Sequence, residues 1–62
     1  MKSEEVKYFL NKKVKLVTDT QFVLYGEIVE VYEDSLMFKS DTTVSIINFN
    51  SIRTIVARNG DI

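Results

Sequence analysis

Phe22-Val23-Leu24-Tyr25-Gly26-Glu27-Ile28-Val29-Glu30-Val31-Tyr32-Glu33 is a run of twelve residues of mostly β-forming type, and its reading decides the fold. Strands longer than about ten residues in small barrels bend, and glycine is the usual bending point. Gly26 lies inside the run, with Leu24 and Ile28 on one face on either side of it. Val31 is out of phase with that pair, which predicts a bulge or extra twist near Val29 or Glu30.

Upstream, Lys13 to Thr18 alternates polar and apolar, with Val14 and Leu16 pointing inward, and Asp19-Thr20-Gln21 makes a polar turn into the long strand. Before it, Ser3 to Asn11 reads as a short helix. Ser3 is the expected N-cap, Glu4 and Glu5 sit where the helix dipole favours negative charge, and Val6, Phe9 and Leu10 share one face. Asn11 tolerates the left-handed conformation that ends a helix. So short a helix needs a docking surface, most simply the open end of a barrel. Downstream, Glu33-Asp34-Ser35 turns into a third strand through Leu36 and Phe38, Ser40-Asp41-Thr42 into a fourth over Thr43–Asn48, and Asn48-Phe49-Asn50-Ser51 into a fifth over Ile52–Ala57. Ile52 and Ile55 are the expected core of this last strand. Residues 58–62 read as a polar tail. Such short links leave no room for crossover helices, so the sheet is antiparallel. The expectation is one all-β domain over residues 1–62: an SH3-like, strongly bent five-stranded barrel over residues 13–57 behind a helix over residues 3–11. An OB-fold fits the chain length less well.

The chain has 62 residues, which limits it to one domain whose core supplies about 3–5 kcal/mol. It has no cysteine and no histidine, so no disulfide forms, structural zinc is not expected, and no cofactor is implied. By elimination self-association is the stabiliser left over, with a compact monomer of modest stability as the alternative. Eight basic against nine acidic residues argue against a strongly basic coat on DNA, and leave room for RNA held by a local patch or by stacking. No apolar run approaches the roughly 18 residues of a membrane span. The acidic start, Met1-Lys2-Ser3-Glu4-Glu5, does not read as a signal peptide, so a cytoplasmic location is expected. With no His or Cys for general-base or nucleophilic work, no phosphate-cradling glycine loop, and only Glu33-Asp34 as adjacent carboxylates, the chain is not expected to be an enzyme.

Surplus hydrophobicity is the main functional hint. Val23, Tyr25 and Val29 lie opposite Leu24 and Ile28, Val44 and Ile46 alternate with Ser45 and Ile47, and Ile55 and Val56 are adjacent. The outer face of a lone small barrel should be polar. Two readings stand: Val44, Ile46, Ile47, Ile55 and Val56 form a subunit interface, or strong curvature and the N-terminal helix cover them. No proline blocks an edge strand, and a head-to-tail contact between copies closes into a ring when its rotation allows.

Over Val14–Arg58 the pattern resembles the Sm-like proteins, including the bacterial Hfq group. Phe22-Val23-Leu24-Tyr25-Gly26-Glu27-Ile28 and Asp34-Ser35-Leu36-Met37 are similar to the family's first motif, and Ser51-Ile52-Arg53-Thr54-Ile55-Val56 to its second. The resemblance implies a homo-oligomeric ring of six or seven subunits, with the fourth strand of one copy paired to the fifth of the next, binding single-stranded RNA around a pore. The chain departs from the pattern where Phe38 follows Met37 in place of the uridine-reading asparagine, where Thr54 follows Arg53 in place of glycine, and where Phe49-Asn50 replaces the Lys-His pair.

By the same resemblance Arg53 lies at the pore, where a guanidinium stacks on a base or pairs with phosphate. From their own chemistry Asn48 and Asn50 are candidate base-edge readers flanking Phe49 as a candidate stacking ring, and Tyr32 and Met37 border the turn where the family places its stacking group. Lys12 and Lys13, with Lys15, form the basic cluster. Each has a plainer alternative: a solvated arginine, turn chemistry with Phe49 in the core, core or interface packing for Tyr32 and Met37, and a solvated strand start. Three functions therefore remain open: an RNA-binding ring, an SH3-like module for protein contacts without RNA, and a small DNA-associated barrel.

Overall fold

A computed structural model describes residues 2–58. Five strands follow a short helix: α1 Ser3–Lys7, β1 Lys13–Thr18, β2 Val23–Val31, β3 Ser35–Lys39, β4 Val44–Asn48 and β5 Ile52–Ala57, with a 3-10 turn Phe49–Ser51 between the last two. All pairings are antiparallel, and the strands run in the order β4-β3-β2-β1-β5.

The sheet is not closed into the expected barrel. β4 and β5 are its two edges, and among the described residues no ladder joins them. It is nonetheless curled. Four inter-strand steps of about 4.8 Å would set β4 and β5 about 19 Å apart if the sheet were flat. The chain from Asn48 to Ile52 spans at most about 14 Å even when extended. The link is a 3-10 turn, closed by the Ile52 N–H to the Phe49 carbonyl, rather than a two-residue hairpin. It carries the chain across the open end and drops Phe49 into the core instead of folding β5 back along β4.

That core is Val6, Val14, Leu16, Ile28, Leu36, Phe38, Phe49 and Ile52, with Leu24, Val31, Ile47 and Ile55 packed against it. Two register shifts make this inner face possible. Ile28 pairs with Phe38 but Glu30 with Met37, so Val29 is the extra residue, at the predicted bulge, and Val31 returns to the inside opposite Leu36. On β5, Thr54 pairs with Val17 and Ile52 with Thr18, leaving Arg53 as the extra residue. Ile52 and Ile55 thereby share one face.

Gly26 is required for close approach rather than for an unusual backbone angle. A Cβ there would overlap the Lys39 carbonyl oxygen and sit 2.9 Å and 3.0 Å from atoms of the Phe38 ring. The helix is shorter than expected. After Lys7 the chain continues in single turns through Leu10, which forms a parallel bridge to Ile28. Asn11 then takes the left-handed conformation (φ 65°) and donates its N–H to the Ile28 carbonyl at 2.7 Å. This commitment to the sheet stops the helix. Ser3 is its first residue rather than its cap; Lys2 holds the cap position and donates its backbone N–H to Glu5 Oε1 at 3.3 Å. Of the expected tail, Arg58 continues beside β1, its N–H bonded to the Lys13 carbonyl at 3.0 Å, and residues 59–62 lie outside the described residues. Among the described residues no helix is long and apolar enough to cross a membrane.

Candidate nucleic-acid interface

Three connections meet at one end of the sheet. The β1–β2 loop is a three-residue hairpin turn with Gln21 left-handed (φ 69°), closed by Thr18 N–H to the Phe22 carbonyl at 2.9 Å. The 3-10 turn is tied to both other connections: Asp19 donates its N–H to the Ser51 carbonyl, and Phe49 its N–H to the Asp34 carbonyl, each at 2.9 Å. Asn48, Phe49, Asn50 and Arg53 are thus brought together, with Tyr32 on the adjoining turn.

Their side chains are not equally available. Phe49 is only 6% exposed, so its ring packs in the core and offers no free face. Asn48 Oδ1 accepts the Asn50 N–H at 2.9 Å and caps the turn. Asn50, Tyr32 and Arg53 are exposed, and Met37 is half-buried. Arg53 gains its outward position from the β5 bulge, and it borders a cleft of about 210 Å³ between α1 and β5 that Glu5 also lines. The exposed carboxylates of Asp19, Glu33 and Asp34 belong to the same end, so Arg53 is outnumbered there.

Lys12 and Lys13 lie at the opposite end. Lys12 Nζ sits 4.4 Å from the centroid of the exposed Tyr8 ring, a cation–π contact. Lys13 opens a row that sequence reasoning missed. The register Lys13↔Glu27↔Lys39↔Val44 runs across β1, β2, β3 and β4 on the outer face, and Arg58 extends it past β5. These residues border an open groove of about 430 Å³, with Tyr25, 55% exposed, beside them and the Arg58 guanidinium carbon 4.9 Å from the Tyr25 ring centroid. The cations are scattered along the chain, and only the strand pairing assembles them.

The five expected interface residues divide by face. Ile47 and Ile55 turn inward against the core. Val44 and Ile46, 59% and 58% exposed, lie outside on edge β4, and Val56, 43% exposed, lies outside on edge β5. No protein-family model matches the chain and no curated protein is significantly similar to it, so its function is read from fold and surface chemistry.

Proposed function

We propose that the chain is a subunit of an Sm-like homo-oligomeric ring, of six or seven copies in the cytoplasm, that binds single-stranded RNA. The observation that carries this reading is that β4 and β5 are the two open edges of a curled antiparallel sheet. Each edge shows exposed apolar side chains: Val44 and Ile46 on one, Val56 on the other. Pairing β4 of one copy with β5 of the next completes both ladders and covers these residues, and rotation closes the assembly into a ring. In that ring each barrel is completed by its neighbours. Arg53, Asn50 and Tyr32 then face RNA from one side of every subunit, and repetition turns weak single contacts into avidity.

A second reading is favoured by the buried Phe49 and the engaged Asn48 side chain, which remove two of the expected base contacts. In it the same SH3-like sheet is a protein-interaction or scaffold module without RNA. Light scattering tests the ring: the expected mass is about 43–50 kDa, six or seven times the 7.2 kDa chain, and a 7.2 kDa species overturns the assembly. Anisotropy titration with labelled oligo-U and oligo-A at two salt concentrations tests the ligand. Binding that weakens with salt supports RNA, and a ring silent to both oligonucleotides leaves the scaffold.

A further inference from the structure

We infer that the outer-face groove bounded by Lys13, Lys39, Arg58 and Tyr25 is a nucleoside-phosphate site, with the phosphate on the cations and the base on the Tyr25 ring. This deepens the RNA-binding reading and rests on it for the case in which the nucleotide is part of a strand. The row geometry makes the case. Lys13 and Lys39 flank Glu27 from β1 and β3, two strand spacings or about 10 Å apart at their backbones. Arg58 closes the row on the β5 side, anchored by its N–H to the Lys13 carbonyl. Long cationic side chains on that spacing converge on one phosphate or straddle two along a strand.

Tyr25 stands one outward position along β2 from Glu27, directly opposite Lys15 of β1. Its exposed ring already holds a cation, Arg58, over its face. A base stacks on the same face while the guanidinium moves to the phosphate, exchanging one partner of the aromatic ring for another. Gly26 contributes only backbone to the groove, because a side chain there would point inward at the Phe38 ring, and its absence lets β2 approach Lys39 closely. Glu27 and Asp41 also line the groove. As acceptors they suit base amino groups and ribose hydroxyls, and among the described residues lining the groove they set two carboxylates against three cations. Among the described residues the turn end sets Arg53 against Asp19, Glu33 and Asp34, so the groove is the stronger phosphate site and the Arg53 end adds the weaker contacts of the same strand.

The test uses the full chain, with labelled oligo-A and oligo-U as strand probes and AMP and UMP as free probes, followed by anisotropy and by amide shifts at Tyr25–Glu27 and Lys39–Asp41. The expected result is that the Lys39→Ala/Arg58→Ala double variant loses about tenfold in strand affinity and that its log–log salt slope falls by about 1.4. Tyr25→Leu should lose about fivefold or more, and Tyr25→Phe should restore it. Lys7→Ala, which removes one positive charge on α1 that does not line the groove, should bind like the parent. Unchanged light-scattering mass and circular dichroism certify each variant. Strand binding that survives the double variant overturns the groove and leaves the RNA reading intact. Mononucleotide shifts in the groove without strand binding keep the groove, as a site for free nucleotide, and overturn the RNA reading. Silence to every probe overturns both.

Discussion

Where β4 turns into β5, the backbone is satisfied from within: Asn48 caps Asn50, Phe49 fills the core, and the turn is bonded to both neighbouring connections. At the opposite end, Lys13, Glu27, Lys39 and Arg58 line up on an open outer surface. The first end is acidic and internally bonded, and the second is basic, its lysine and arginine side chains making no hydrogen bond or ion pair among the described residues. Residues chosen by type alone, such as the Asn-Phe-Asn turn, fall at the end where structure uses them. Residues scattered along the chain come together at the end where a ligand can reach them. In a chain of net charge −1 this separation supplies an attractive surface that the total charge hides.

The comparison breaks most sharply at Phe49. If the turn end is held by core packing, Phe49→Ala should cost about 3–5 kcal/mol, comparable to the whole stability of so small a domain. Urea denaturation followed by circular dichroism should find the variant largely unfolded at 25 °C. A variant that melts like the parent would mean the ring is free to stack after all. Gly26→Ala tests the groove end. The new methyl meets the Lys39 carbonyl, which cannot retreat without disturbing the β2–β3 ladder, so a loss of about 1–3 kcal/mol or more is expected in the same assay. Pairing it with Phe38→Leu should recover only part of that loss, because the backbone contact remains.

Asn48→Ala sharpens the contrast on a smaller scale. If Asn48 is a cap, its loss should cost about 1 kcal/mol of stability and leave the oligonucleotide titration of the parent unchanged. An asparagine that reads bases would show the reverse: unchanged melting and weakened binding.

How much of this was legible in the chain depends on whether the signal is local. The β1 and β5 limits follow from alternation and turn residues, and the i, i+3 spacing of Ile28 and Val31 required a bulge, found at Val29. Ile52 and Ile55 carry the same spacing, and the bulge at Arg53 answers it in the same way. The role of Gly26 was only half legible: a glycine in a long strand suggests a bend, whereas the need comes from Phe38 and Lys39 on another strand. The shortened helix was hidden because the competitor for residues 10 and 11 is the β2 backbone at Ile28. Phe49 could be surface or core until the turn was built. The basic row is set entirely by register, which no window of sequence contains.

The smallest expected effect compares the two ends through their left-handed residues. Gln21 at the turn end has φ 69°, and Asn11 at the groove end has φ 65°. The left-handed region costs an ordinary L-residue roughly 1–2 kcal/mol, because its Cβ crowds the following carbonyl. Asparagine visits the region several times more often than most residues, so Asn11 sits there at little cost. Glycine removes the crowding but adds freedom to the unfolded chain, which takes back part of the gain. Gln21→Gly should therefore raise stability by about 0.5–1 kcal/mol, and Asn11→Gly should change it by less than about 0.5 kcal/mol. Urea midpoints at unchanged slope would read both. Equal shifts at the two sites would show that the hairpin tolerates Gln21 as easily as the helix exit tolerates Asn11. The strain at the turn end would then be carried elsewhere than in this loop.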